Sequence, residues 1–168
     1  MSTFTDKIIE GSLTFNFPTN NATKYDAWSF YRETFQDGCA RNNKAVDFLF
    51  FDSDIAWLIE VKDYSSTNRE KSLSLYDEVA LKVRDTLAGL MIAKCKAIGD
   101  EQSYALEFMK CSKIKVVLHY EFKVSRIHPA PTLICNTTDK LRRSLKAFGK
   151  SVYVVNKSAN HKTNWSVS

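Results

Sequence analysis

Residues 44–64 read KAVDFLFFDSDIAWLIEVKDY. Two apolar runs, Ala45–Phe51 and Ile55–Val61, flank a short polar patch, Asp52–Ser53–Asp54. Bulky and β-branched runs of this length predict strands, and the patch between them predicts a hairpin turn. A two-residue loop at Ser53–Asp54 faces Asp52 with Ile55. Carried in step along both strands, that register sets Asp47 opposite Glu60. Lys62 then shares their face, because side chains alternate with a period of two. A loop of another length slides the pair by a residue but leaves both carboxylates near the same strand ends.

Charges inside such strands are costly unless they are paired or bound to a metal. Directly opposed Cβ atoms lie roughly 4.5–5.5 Å apart. Asp47 and Glu60 therefore repel unless a cation lies between them or one takes a proton. Mg²⁺ takes carboxylate and backbone carbonyl oxygens, and typically one or two protein carboxylates. Asp47 and Glu60 supply that set, the Val61 carbonyl adds to it, and Mn²⁺ is a possible substitute. Lys62 sits beside such a cation, where it can orient or deprotonate a water or neutralise charge developing on a phosphate. This is the layout of a metal-dependent phosphodiesterase. The competing reading is an unrelated α/β domain whose hairpin charges form a structural ion-pair cluster.

Asp47, followed on the next strand by Glu60-Val61-Lys62, resembles the core motif of the PD-(D/E)xK, or restriction-endonuclease-like, nuclease superfamily. The resemblance covers about residues 24–124, from a preceding helix through a following helix and strand. Val46 stands where the motif name has proline, a common departure in the superfamily. The resemblance implies Mg²⁺-dependent hydrolysis of phosphodiester bonds, endo or exo, with Asp47, Glu60 and Lys62 as catalytic residues and DNA as the first expectation for substrate. It implies a further acidic metal ligand on the helix before the hairpin, for which Glu33 is the candidate by position. Polar residues on the following helix often reach the active site in this superfamily. Glu78, Lys82 and Asp85 are in place here, unranked, and the Q-x-x-x-Y variant is absent. Enzymes of this fold often act as dimers, so a homodimer or a partner protein stays open. The alternative within the same fold is a catalytically inactive nucleic-acid-binding or protein-interaction module.

Length and composition agree with a folded domain. The 168 residues suit one domain, residues 1–168, with a full core. Hydrophobic content of 44% against 26% charged residues argues against disorder. No apolar run approaches the ~20 residues of a membrane span, and MSTFTDKIIEGS lacks the secretory pattern. A cytoplasmic protein, without membrane partners, is the expectation. Cys39, Cys95, Cys111 and Cys135 are well separated, and His119, His128 and His161 complete no zinc pattern. Free, mostly buried thiols and a structural His119 are expected. The net charge is +5, and residues 137–168 carry seven lysines and arginines against Asp139 alone. Such a basic third suits a phosphate backbone. Arg41, Lys44, Arg69, Lys71 and Lys82 are the candidate nucleic-acid contacts.

Along the chain, residues 7–17 predict a first strand or extended lead-in, and Thr19–Thr23 a loop. Tyr25, Trp28, Tyr31 and Phe35 recur at helical spacing over residues 24–36. A polar loop, residues 63–71, leaves Lys62. A long helix follows over residues 72–98, with Gly89 marking a close helix–sheet contact, then a shorter one over 100–111. Residues 113–124 predict a strand, RIHPAP a turn, 132–135 a short strand, 138–148 a helix and 151–156 a last strand. The tail from Lys157 is polar and expected to fray. Both faces of the hairpin are apolar, so the sheet is covered on both sides. The expected fold is an α/β three-layer sandwich, a central mixed β-sheet flanked by helices.

Overall fold

The computed structural model of the chain describes residues 4–66, 72–123 and 129–168. It opens with a hairpin of Lys7–Glu10 (β1) and Leu13–Asn16 (β2). Gly11 and Ser12 make the turn, and Gly11 takes φ +57°, a conformation that glycine adopts without steric cost. The expectation of a first strand or extended lead-in over residues 7–17 is corrected here: the Gly-Ser pair inside the run is a two-residue hairpin loop. Ala22–Lys24 (β3) is an edge strand where a loop was expected. A 3₁₀ turn, Tyr25–Ala27, leads to a π-helical segment, Phe30–Phe35, and a last α-turn, Gln36–Gly38 (α1). The expected helix over residues 24–36 is thus broken near its start. There the Glu101 carboxylate accepts from the N–H groups of Ser29 and Phe30 at 2.8 and 3.0 Å, satisfying two orphan donors.

The central hairpin is Phe48–Asp52 (β4) and Ile55–Tyr64 (β5), paired antiparallel with Asp52 opposite Ile55 and Phe48 opposite Ile59. This is the expected register, turned at Ser53 with φ +55°. Leu75–Lys96 (α2) and Gly99–Phe108 (α3) cross over to Lys113–Phe122 (β6), which runs parallel to β5. Ala130–Ser144 (α4) and a 3₁₀ segment, Lys146–Ser151, return the chain to Val152–Val155 (β7), parallel to β6. The expected turn–strand–helix over 126–148 gives way to α4, with the residues of the turn at 124–128 outside the described set. Pro131 stands in the first turn of α4, where a missing N–H costs no hydrogen bond. Ser166–Val167 (β8) pairs with β2, so the tail is anchored rather than frayed. Trp165 is buried against Phe17, Phe50 and Trp57, with ring centroids 5.1–5.9 Å apart.

The result is an α/β fold with a mixed five-stranded sheet, β3-β4-β5-β6-β7, and a three-stranded sheet, β1-β2-β8. Strand alternation divides the core. Leu49, Leu58, Val116, Leu118 and Val154 pack against Val79, Val83 and Leu90 of α2, Tyr104 and Phe108 of α3, and Leu141 of α4. Phe48, Phe50, Trp57, Ile59 and Val117 pack against Ile8, Leu13, Phe15 and Trp165. Three layers were expected and are present, but the expectation of helices on both faces is corrected. Among the described residues the helices pack on one face, and the small sheet covers the other. The cysteines are free, as expected, but not buried: Cys39, Cys95 and Cys135 are exposed and Cys111 is half-buried. His119 is fully buried, and its Nε2 lies 2.8 Å from Glu121. Among the described residues no helix is long and apolar enough to cross a membrane.

Candidate active site

The ladder between β4 and β5 stops at Phe48 and Ile59. One step further the backbones part, because Val46 N–H donates to Thr86 Oγ1 on α2 at 3.0 Å instead of pairing with β5. The Asp47 carboxylate fills the gap: its Oδ2 accepts from Val61 N–H at 2.7 Å. Asp47 therefore faces Glu60 across an opening strand pair, on the helix-covered side of the sheet. In an extended strand the N–H and C=O of one residue point to the same side, so the Val61 carbonyl also faces this opening.

Helix α2 closes the cluster. Glu78, Lys82, Asp85, Thr86 and Gly89 follow one another at helical spacing on the side turned to the sheet and to the segment before it. Asp85 accepts from Lys44 N–H at 2.9 Å. A side chain at Gly89 would collide with the Tyr25 hydroxyl, so the close contact expected there is with the 3₁₀ turn rather than the sheet. Lys82 Nζ lies 2.7 Å from Glu60 Oε1 and 3.3 Å from Asp47 Oδ1. Lys62 Nζ lies 2.6 Å from the same Glu60 oxygen and 3.7 Å from Glu78. Both lysines crowd Oε1. Oε2 is buried and accepts no hydrogen bond among the described residues.

Electrostatics follow from burial. Glu60 is fully buried. Desolvation, then the Asp47 charge, pushes its pKa up to about 7, against the opposing pull of Lys82 and Lys62. Burial alone would lower the pKa of Lys82, but Glu60 and Asp47 outweigh it and hold it above an ordinary lysine. Asp26 is raised as well, by burial first and by Asp47 among the neighbouring charges.

Asp26 is the residue that sequence reasoning missed. Tyr25 N–H donates to the Asp47 carbonyl at 3.0 Å, which ties the 3₁₀ turn to the strand entry. Asp26, Tyr31, Asn43, Lys44, Asp47 and Lys82 then line one cleft of about 280 Å³. Glu33, the expected further ligand, is exposed on the π-helical segment. No described contact joins it to Asp47 or Glu60. Because the helix is broken, its acid at the cleft comes from the first turn rather than the third. Larger grooves lie elsewhere, between α2 and the 3₁₀ segment and beside α4, and neither contains the carboxylates.

The structure thus brings together Asp47, Glu60, Val61 and Lys62, and adds Lys82, Glu78 and Asp26. Lys82 was expected as a nucleic-acid contact and lies inside the charge cluster. Arg41 and Lys44 are exposed, Lys44 on the cleft wall. Arg69 and Lys71 lie outside the described residues. Among the described residues no three His, Cys, Asp or Glu side chains converge on a metal position. Mg²⁺ needs only one or two protein carboxylates. An unpartnered buried oxygen of Glu60, the Asp47 carboxylate and the Val61 carbonyl are hard donors that fit such an ion.

No family model matches the chain, and no solved structure matches it. The chain is similar to a cysteine–tRNA ligase of Neisseria meningitidis serogroup A, at 32% identity over 179 aligned residues. The alignment takes in 86% of this chain and 25% of that protein, so the chain spans about a quarter of its relative's length.

Proposed function

We propose that the chain is a restriction-endonuclease-like, metal-dependent nuclease that hydrolyses phosphodiester bonds in nucleic acid. The observation that carries this reading is the opposed pair at an opening strand end, Glu60 fully buried and Asp47 half-buried, with Lys62 and Lys82 against them. A structural ion-pair cluster would gain little from burial, since two apolar residues there would serve stability as well or better. Asp47, Glu60 and the Val61 carbonyl would hold Mg²⁺ or Mn²⁺, and Asp26 is the next carboxylate along the cleft. Such an ion supplies Lewis-acid charge at the phosphate and lowers the pKa of a bound water. Lys62 orients the attacking water and offsets charge on the phosphate oxygens. Lys44 and Arg41 meet the phosphate backbone beside the cleft, which makes binding salt-dependent.

Similarity to a quarter of a tRNA ligase favours RNA, and tRNA in particular, as a second substrate class beside DNA. It equally supports an inactive module that contacts nucleic acid. Cleavage of single-stranded, double-stranded and branched DNA, of RNA and of tRNA, each with Mg²⁺ or Mn²⁺, separates these readings. Wild type should cleave at least one substrate, and Glu60→Ala and Lys62→Ala should each lose about 10²–10³-fold, as for removal of a transition-state charge contact. Cleavage that survives both substitutions would sink the proposed site. Binding without cleavage in the wild type would favour the inactive module.

A further inference from the structure

Lys82 is placed where a nuclease of this kind would hold its metal. Among the described residues it is the one cation within ion-pair distance of both Asp47 and Glu60, at 3.3 and 2.7 Å. Lys62 does not share that position: it reaches Glu60 and Glu78. The two opposed carboxylates need a positive charge between them, and in this arrangement a lysine on α2 provides it.

The 3₁₀ turn before the hairpin offers the ammonium a second station. Asp26 lines the cleft with Lys82 and Asp47. Its Oδ1 is buried without a hydrogen-bond partner among the described residues. The lysine stem is long and its head a compact charge with three rotatable donors. Lys82 itself lines this cleft, which is the open space its head would enter on leaving the carboxylate pair.

We infer that Lys82 is a built-in counter-ion that occupies the divalent-cation position in the metal-free protein and gives it up, moving towards Asp26 and the cleft, when the metal binds. Lys82 is then a positioning residue in the empty site. In the loaded site it stands on the cleft side, where a substrate phosphate enters. This rests on the metal-dependent reading of the site and adds to it a competition between a side chain and the cofactor.

Competition of this kind lowers apparent affinity by the fraction of molecules that are competent to bind. If the ion-paired state holds roughly nine molecules in ten, its removal tightens binding by about tenfold. The test is calorimetric titration of the full chain with Mn²⁺ at pH 8.5, without substrate. Lys82→Met and Lys82→Gln should bind Mn²⁺ about tenfold more tightly than wild type. Lys82→Arg keeps the charge and should stay near the wild-type value. Thermal denaturation gives a second readout: Mn²⁺ should raise the melting temperature of Lys82→Met by more than that of wild type. The Gln variant, which keeps a polar head, covers the case in which Met prevents folding. Equal or weaker Mn²⁺ binding in both neutral variants would overturn the inference. The parent reading fails separately: it falls if wild type binds no Mn²⁺, or if Asp47→Asn leaves binding unchanged.

Discussion

The two ends of the β4–β5 hairpin carry the same chemistry in different surroundings. At the turn, Asp54 accepts from the Ser112 hydroxyl and N–H, and lies 3.9 Å from Lys113. At the open end, Glu60 lies 2.6–2.7 Å from Lys62 and Lys82. Asp54 is exposed to water, and the Ser112 hydrogen bonds hold its carboxyl below the usual range. Glu60 is buried, and desolvation drives it the other way in spite of two ammonium neighbours. A carboxylate beside a lysine is thus no measure of stability by itself. In water the pair is nearly neutral in free energy, whereas out of water each charge depends on the other. At the open end the fold takes Glu60 out of water, so its charge depends on the lysines beside it.

Removing the cation at the open end should have the largest effect. Lys82→Met leaves Asp47 and Glu60 opposed without the charge between them. In metal-free buffer at pH 8 it should cost about 3 kcal/mol, in the range for breaking a buried pair. Lys113→Met at the turn should leave the urea midpoint unchanged. Equal losses at the two ends would remove burial as the cause of the difference.

A second contrast is in pH. The folded-state pKa of Glu60, about 7, lies above its unfolded value near 4.5. The native state therefore binds this proton more tightly, and the associated stability is fully present below pH 4.5. It is lost as pH rises through 7. The cumulative effect is about 3 kcal/mol. Wild type should fall behind Glu60→Gln by about that amount between pH 4 and 8 in urea titrations. Parallel curves for the two proteins would contradict the raised pKa. Asp54 is depressed, so its contribution has the opposite sign. Asp54→Asn should lose a small increment above its unfolded pKa and none below its folded one, and salt should weaken it. Salt should leave the Lys82 effect nearly intact, because buried pairs are poorly screened.

What was legible in the sequence follows the same division between local and distant. The hairpin register could be read because a two-residue loop fixes every pair up to Asp47 and Glu60. The helices α2 and α3 and the strand β6 could be read from long periodic runs. The short strands β3 and β8 could not. Ala22–Lys24 and Ser166–Val167 carry little pattern of their own and exist through partners on β4 and β2. Trp165 was the one aromatic signal in the tail, and it is buried. Within the site, Asp47, Glu60 and Lys62 were visible because they interrupt or end apolar strands. Lys82 and Glu78 could be named but not ranked, since helix periodicity does not say which turn meets the strand end. Asp26 was hidden by the assumption of one continuous helix, which pointed to Glu33 instead. Glu101 on α3 engages the N–H groups at Ser29 and Phe30, a contact across some seventy residues that no local reading reveals.

A crystal soaked in Mn²⁺ and measured at the manganese absorption edge locates the ion and the Lys82 side chain together. An anomalous peak is expected within ~2.0–2.3 Å of oxygens from Asp47, Glu60 and the Val61 carbonyl, with the Lys82 ammonium displaced from the carboxylate pair. A peak at another group of residues, or an undisturbed Lys82 bridge at saturating Mn²⁺, would contradict it.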